Sequence, residues 1–241
     1  MPCALCNKDR PLQNSHIIPE FLYETLYDSK HRFYHLSMNP EVKEKSLQKG
    51  VREPLLCECC EQYFSTFERY ASLALSGKNA LGYKHEDKRV IISGLEYQKF
   101  KLFQLSILWR AGISSLTAFR QVSLGPHESR LRQMLIASDP GAPHTYGCLM
   151  FALIHEGQIV EDLIMEPTWA RLDGHYCYRF VFGGLIWVYL VSGHQVQKRI
   201  VDDCLQTNGD CVVRLQDFEE VTFPVKVVAK LHRIERGGGS R

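Results

Sequence analysis

No apolar run in this 241-residue chain is long enough for a membrane-spanning helix. The most apolar stretch, from Phe180 to Ser192, is short and broken by Gly183-Gly184, and the run from Leu102 to Phe119 carries Arg110, Ser106 and Thr117. No charged-then-apolar leader opens the chain, so no export signal is expected. No G-x-G-x-x-G or Walker pattern occurs, which removes the two commonest glycine-loop nucleotide sites. Internal repeats and low-complexity segments are also lacking, which argues against a solenoid or a tail-like chain. No charge sign dominates, since 29 Lys and Arg stand against 27 Asp and Glu. Cysteine is not scarce, but nine is an odd number, and five of them fall within the first sixty residues. That clustering favours metal ligation over a disulfide framework, and with it a reducing, cytoplasmic setting.

What is present is an ordinary globular composition, 45% hydrophobic and 23% charged, enough for one large or two modest domains. The charge is unevenly placed. Residues 1–75 carry 9 basic and 10 acidic side chains, 76–133 carry 10 and 4, and 134–241 carry 10 and 13. If nucleic acid binds, the basic middle is the expected footprint.

Cys3-x-x-Cys6 and Cys57-x-x-Cys60 have the spacing of two zinc knuckles sharing one tetrahedral ion. Four thiolates close the coordination sphere, so such a metal is structural. Cys59 lacks the x-x spacing and is expected to be a small packed residue. Between the knuckles, Leu12 and Ile17-Ile18 read as strand positions ended by Pro19, followed by a helical turn over Phe21–Tyr27. Residues 28–54 read as polar and irregular. From Cys60 to Ala74 the apolar residues recur at three and four, an amphipathic helix. Knuckle, hairpin, knuckle and helix make a treble-clef zinc module.

Beyond it, 76–89 reads as a polar stretch and 95–118 as a helix too apolar all round to lie on a surface. Gly125-Pro126 opens a helix over His127–Ala137. From Tyr146 the period changes to two, predicting strands at 146–156, 159–165, 176–182, 185–191, 211–215 and 221–229, with a hairpin turn at Gly183-Gly184. The expected class is α+β: a zinc module at 1–75, a helical basic segment at 76–140, an antiparallel β region at 141–236 and a flexible tail at 237–241.

Leu12-x-x-Ser15-His16-Ile17-Ile18-Pro19, framed by Cys3-x-x-Cys6 and by Leu55-Leu56-Cys57-x-x-Cys60-Glu61, resembles the cysteine-rich branch of the HNH endonucleases over roughly residues 1–75. It is also similar to bacterial proteins that share the S-H-I-I-P and L-L-C-x-x-C-E signature. The resemblance implies a ββα-metal element held by structural Zn2+, with a separate Mg2+ or Mn2+ on the scissile phosphate of DNA, or of RNA. It implies bacterial defence against foreign DNA as a setting, with double-stranded DNA as the partner. His16 stands where the general base activates water, and a neutral imidazole suits that task. Ser15 replaces the family's metal-binding aspartate or histidine, and Glu61 replaces the histidine or asparagine after the last cysteine. The oxygen ligand then falls to Glu61 or Glu68 on the helix, or the insertion folds back His31 or His35. Arg52 is a candidate phosphate contact. A catalytically degenerate zinc-stabilised module that binds nucleic acid or protein is the alternative. A third reading makes the β region the working part.

Overall fold

The computed structural model describes residues 1–27, 33–35, 45–47, 50–161 and 163–221. His31, the side chain of His35, His232, most of the strand expected at 221–229 and the tail at 237–241 lie outside the described residues.

The chain starts with a tight turn in which Asn7, at φ 57°, donates its N–H to the Cys3 carbonyl at 2.8 Å. Asparagine tolerates this left-handed backbone better than most residues. Strand β1, Leu12–His16, then pairs antiparallel not with an adjacent strand but with a later one, Arg52–Cys57, across a long connection. Within that connection β2, Phe33–His35, pairs antiparallel with β3, Lys45–Leu47, so residues 28–54 are not simply irregular. The strand Arg52–Cys57 is β4. Its register against β1 shifts at Gln13/Asn14, where Leu56 and Pro54 are the partners and Leu55 is extra. The bulge frees the Leu55 carbonyl to accept from Ala4 N at 3.0 Å and tolerates Pro54, which has no N–H for a ladder. Ile17 and Ile18 lie beyond β1 as buried residues, and Pro19 starts a 3₁₀-helix over Glu20–Leu26.

Helix α1, Glu58–Leu75, buries Cys60, Phe64, Phe67, Ala71 and Ala74, the stripe the periodicity predicts. Helix α2, Tyr97–Ile113, buries every residue from Phe100 to Ala111. It lies between α1 and α3, His127–Ala137, on one side and the main sheet on the other. Phe64 meets Trp109 edge-on at 6.2 Å, while Phe100 and Phe103 reach Trp187 of the sheet at 6.2 and 6.1 Å. At its C-terminal end, Ser114 and Ser115 donate to the buried Glu53 carboxylate, tying α2 to β4.

The main sheet recruits β5, Gly82–Glu86, and β6, Arg89–Ser93, a hairpin inside the segment expected to be helical and polar. The remaining strands are β7 (Cys148–His155), β8 (Gln158–Ile159), β9 (Met165–Leu172), β10 (His175–Phe182), β11 (Leu185–Leu190) and β12 (Cys211–Asp217). Their order is β5-β6-β12-β7-β11-β10-β9, with β8 hydrogen-bonded to β7. The expected strand at 159–165 is replaced by the short β8 and by β9, which begins where that strand was to end. The sheet is antiparallel except for β12 against β7, which is parallel, so the expectation of a purely antiparallel region is corrected at that pair. Gly183 and Gly184, at φ 59° and 72°, make the two-residue turn between β10 and β11. One sheet face packs on α2; the other buries Leu153, Cys177, Val181, Ile186 and Val188 with Phe218, Val196 and Ile200, the last in the short helix α4, Lys198–Val201. Among the described residues no helix is long and apolar enough to cross a membrane.

Candidate metal centre and the histidine beside it

Cys3 and Cys6 come from the N-terminal turn, Cys57 from the end of β4 and Cys60 from the first turn of α1. Their sulfurs all lie within 4.8 Å of one another. Cys6 Sγ and Cys57 Sγ are 3.8 Å apart, about the edge of a tetrahedron whose metal–sulfur bonds are ~2.3 Å. The donor set fits: four cysteines, three of them buried, with the Cys57 amide pointing at Cys3 Sγ at 3.3 Å. The cluster can therefore hold a metal ion such as zinc. Burial pushes the Cys57 thiol up, but the Cys60 amide and the neighbouring thiols outweigh that and bring it down to about 7. Burial raises Cys60, and its three neighbours push it the same way, as expected when one thiolate among four takes the first negative charge. A divalent cation removes that conflict by stabilising all four thiolates together. Cys59 is outside the cluster, as its spacing implies, but it is exposed rather than packed and accepts from Arg10 Nη1 at 3.1 Å.

His16 is the last residue of β1 and the cross-strand partner of Arg52. Its neighbour Ser15 points the other way. Ser15 is 1% exposed, accepts from Leu56 N at 3.1 Å and donates to Gln13 O, so this hydroxyl pins the bulge. The His16 imidazole is partly open to solvent, and its Nε2 lies 2.6 Å from Glu20 Oε2. Glu20 is held in turn by the Tyr27 hydroxyl and by Gly50 N at 3.3 Å. Burial lowers the His16 pKa below the ordinary imidazole value; Glu20 opposes the shift, and Arg52 and Arg110 reinforce it. Burial also works to raise the Glu20 carboxyl, but hydrogen bonding from Tyr27 and the charge on His16 leave it below the usual range.

Arg110, 1% exposed on α2, joins this site to α1. Its Nη1 donates to the His16 carbonyl at 2.7 Å, its Nη2 meets Glu68 Oε1 at 2.8 Å, and Ser106 accepts from it twice. Glu68, expected as a metal ligand, thus serves as counter-ion to a buried cation. Burial raises its pKa, Arg110 opposes, and the charge on Glu61 adds to the rise. Glu61 lies seven residues before Glu68 and presents a buried Oε1 with no hydrogen-bond partner among the described residues. Among the described residues the four cysteines are the one group of three or more His, Cys, Asp or Glu close enough to share an ion; His16, Glu61 and Glu68 are not gathered into another.

The structure thus brings the four cysteines together, sets Arg52 beside His16 and links Glu68 to His16 through Arg110. Sequence reasoning did not find Glu20, Tyr27 or Arg110. Glu20 had a signal, an acid four residues after the histidine, but the intervening Pro19 hides that they share a side. Comparison with known protein families, with curated proteins and with solved structures finds no match to this chain.

Proposed function

We propose that the chain is a nucleic-acid hydrolase of HNH type, in which a treble-clef module built on structural Zn2+ presents His16 as the general base against a phosphodiester of DNA, or of RNA. The observation that carries this reading is the contact between His16 and Glu20. A carboxylate that is itself held by Tyr27 orients the ring, while burial and two flanking arginines keep the imidazole neutral and able to take a proton from water. The solvent-facing side of the ring is where a water and a phosphate approach. Arg52, the cross-strand partner of His16, would hold that phosphate. The described side chains do not by themselves build a cage for Mg2+ or Mn2+; such an ion takes few protein carboxylates, and the oxygens of a bound phosphate would complete its shell beside Glu61.

The degenerate binding module is the second reading. It is favoured by Ser15, which stands where the resemblance expects a metal ligand and is committed to internal bonds, by the lack of a histidine from Glu61 to Tyr70, and by Glu68, whose carboxylate is committed to Arg110. Plasmid cleavage by zinc-loaded protein in Mg2+ or Mn2+ separates the two. Cleavage that falls ~10²–10⁴-fold in His16→Ala supports the hydrolase. Retained binding without cleavage, in folded wild-type protein, supports the module instead.

A further inference from the structure

The sheet face that packs on α2 runs past the helices at its β9–β10 end, and there it carries aromatic side chains that stay half-exposed among the described residues. Trp169 pairs with Tyr178, and Arg171 with Tyr176, so all four point to this same face. Tyr178 is buried and its hydroxyl is taken by the backbone of Ser123. Trp169 and Tyr176 are 53% and 43% exposed and lie with ring centroids 5.8 Å apart and planes 22° apart, in a stack. The Arg171 guanidinium lies 5.3 Å from the centre of the Tyr176 ring. Arg120 is exposed at the end of the 3₁₀-helix Thr117–Phe119, which packs against β9. The acid of the hairpin turn, Asp173, is occupied by Arg199 at 2.6 Å.

We infer that Trp169, Tyr176 and Arg171 form a stacking platform for unpaired bases of single-stranded nucleic acid, with Arg171 and Arg120 toward the phosphates. The inference rests on the nucleic-acid reading above and names where the strand lies. Flat exposed rings offer a face to any base, and a guanidinium above one of them supplies both stacking and charge. A cross-strand aromatic pair also supports a hairpin on its own, but that role needs no half-exposed tryptophan and no cation on the open side.

The chain reports on the platform directly, because the other two tryptophans, Trp109 and Trp187, are 1% and 0% exposed. Zinc-loaded full-length protein without added divalent ion is titrated with an oligothymidylate about 15 nucleotides long, and with duplex of the same length. Tryptophan emission is expected to be quenched by the single strand, with binding about 5- to 100-fold weaker in Trp169→Ala and Tyr176→Ala and largely kept in Trp169→Phe. Binding that survives both alanine variants overturns the platform, as does preference for duplex, absence of binding, or a Trp169-dependent self-association through the β9 edge. Cleavage is scored separately. An inert protein that still binds through Trp169 sinks the hydrolase and leaves the platform standing, and full cleavage of single strands by Trp169→Ala sinks the platform alone.

Discussion

In the proposed hydrolase His16 acts as a base only while it is neutral, and burial is the main cause that lowers its pKa. The sign of the pH dependence follows. A histidine whose pKa is lower folded than unfolded stabilises the fold fully above about pH 6.5 and loses that contribution as pH falls toward the folded value. Activity borrowed from its lone pair should therefore persist at pH 6.5 and decline only below it. Glu20 works against burial by favouring the charged ring, so Glu20→Gln should move the acid limb to still lower pH, in the rate profile and in an NMR titration of the His16 ring alike. A limb that moves up, or stays, means Glu20 does not sense the ring's charge. Arg110 shows the same reasoning for a cation: it is buried, and Glu68 on α1 is its counter-ion, so the charge fixes the distance between two helices as well as the His16 carbonyl.

At the scale of elements, the cysteine cluster is a clamp on three pieces: the N-terminal turn, the end of β4 and the start of α1. Loss of one ion should free all three at once and spare the sheet face turned away from α2, whose cluster around Leu153, Val188 and Leu190 contains none of the four cysteines. Hydrogen exchange on protein stripped with a chelator is expected to show protection lost at Ala4, Ile17 and Leu56, and retained at Leu190 and Leu153. Uniform loss, or none, would contradict a local clamp. The elements also differ in how far the sequence announces them. Helices α1 and α2 were legible because one carries a regular apolar stripe and the other a run that only a surrounded helix can bury. The hairpin β5–β6 was not, because Gly82-Tyr83-Lys84-His85 lies open to solvent and shows no alternation. Strand β9 was misplaced for a related reason. It is an edge strand with Pro167 and an exposed Trp169 inside it, whereas the apolar residues just before it attract the eye. The clustering of Cys3, Cys6, Cys57 and Cys60 was legible from spacing alone. Arg110 was not, since a cation inside an apolar helix looks like an accident until its partners are seen.

Across the whole molecule, α2 is shared. The part that carries the cysteine cluster leans on it through Phe64 and the sheet through Trp187, so neither part has a complete core of its own. A fragment ending near residue 145 keeps α2 and the hairpin β5–β6 but removes everything the hairpin pairs with. It should lack a sigmoidal urea transition and bind a hydrophobic dye, whereas the full chain unfolds cooperatively; a sharp transition in the fragment would show that the first part folds alone.

The place of β12 carries a consequence in time. This strand is the last in the sequence to join the main sheet among the described elements, yet it lies between β6 and β7 and is bonded to both. As the chain leaves the ribosome, the hairpin β5–β6 and the four strands β7, β11, β10 and β9 emerge as separate pieces, each with a bare edge, and no pairing among the described residues joins them until residues 211–217 arrive. From the completion of β7 until β12 emerges, the nascent chain thus exposes the two edges that its final strand must bridge, and an unpaired edge in that window is open to wrong pairing.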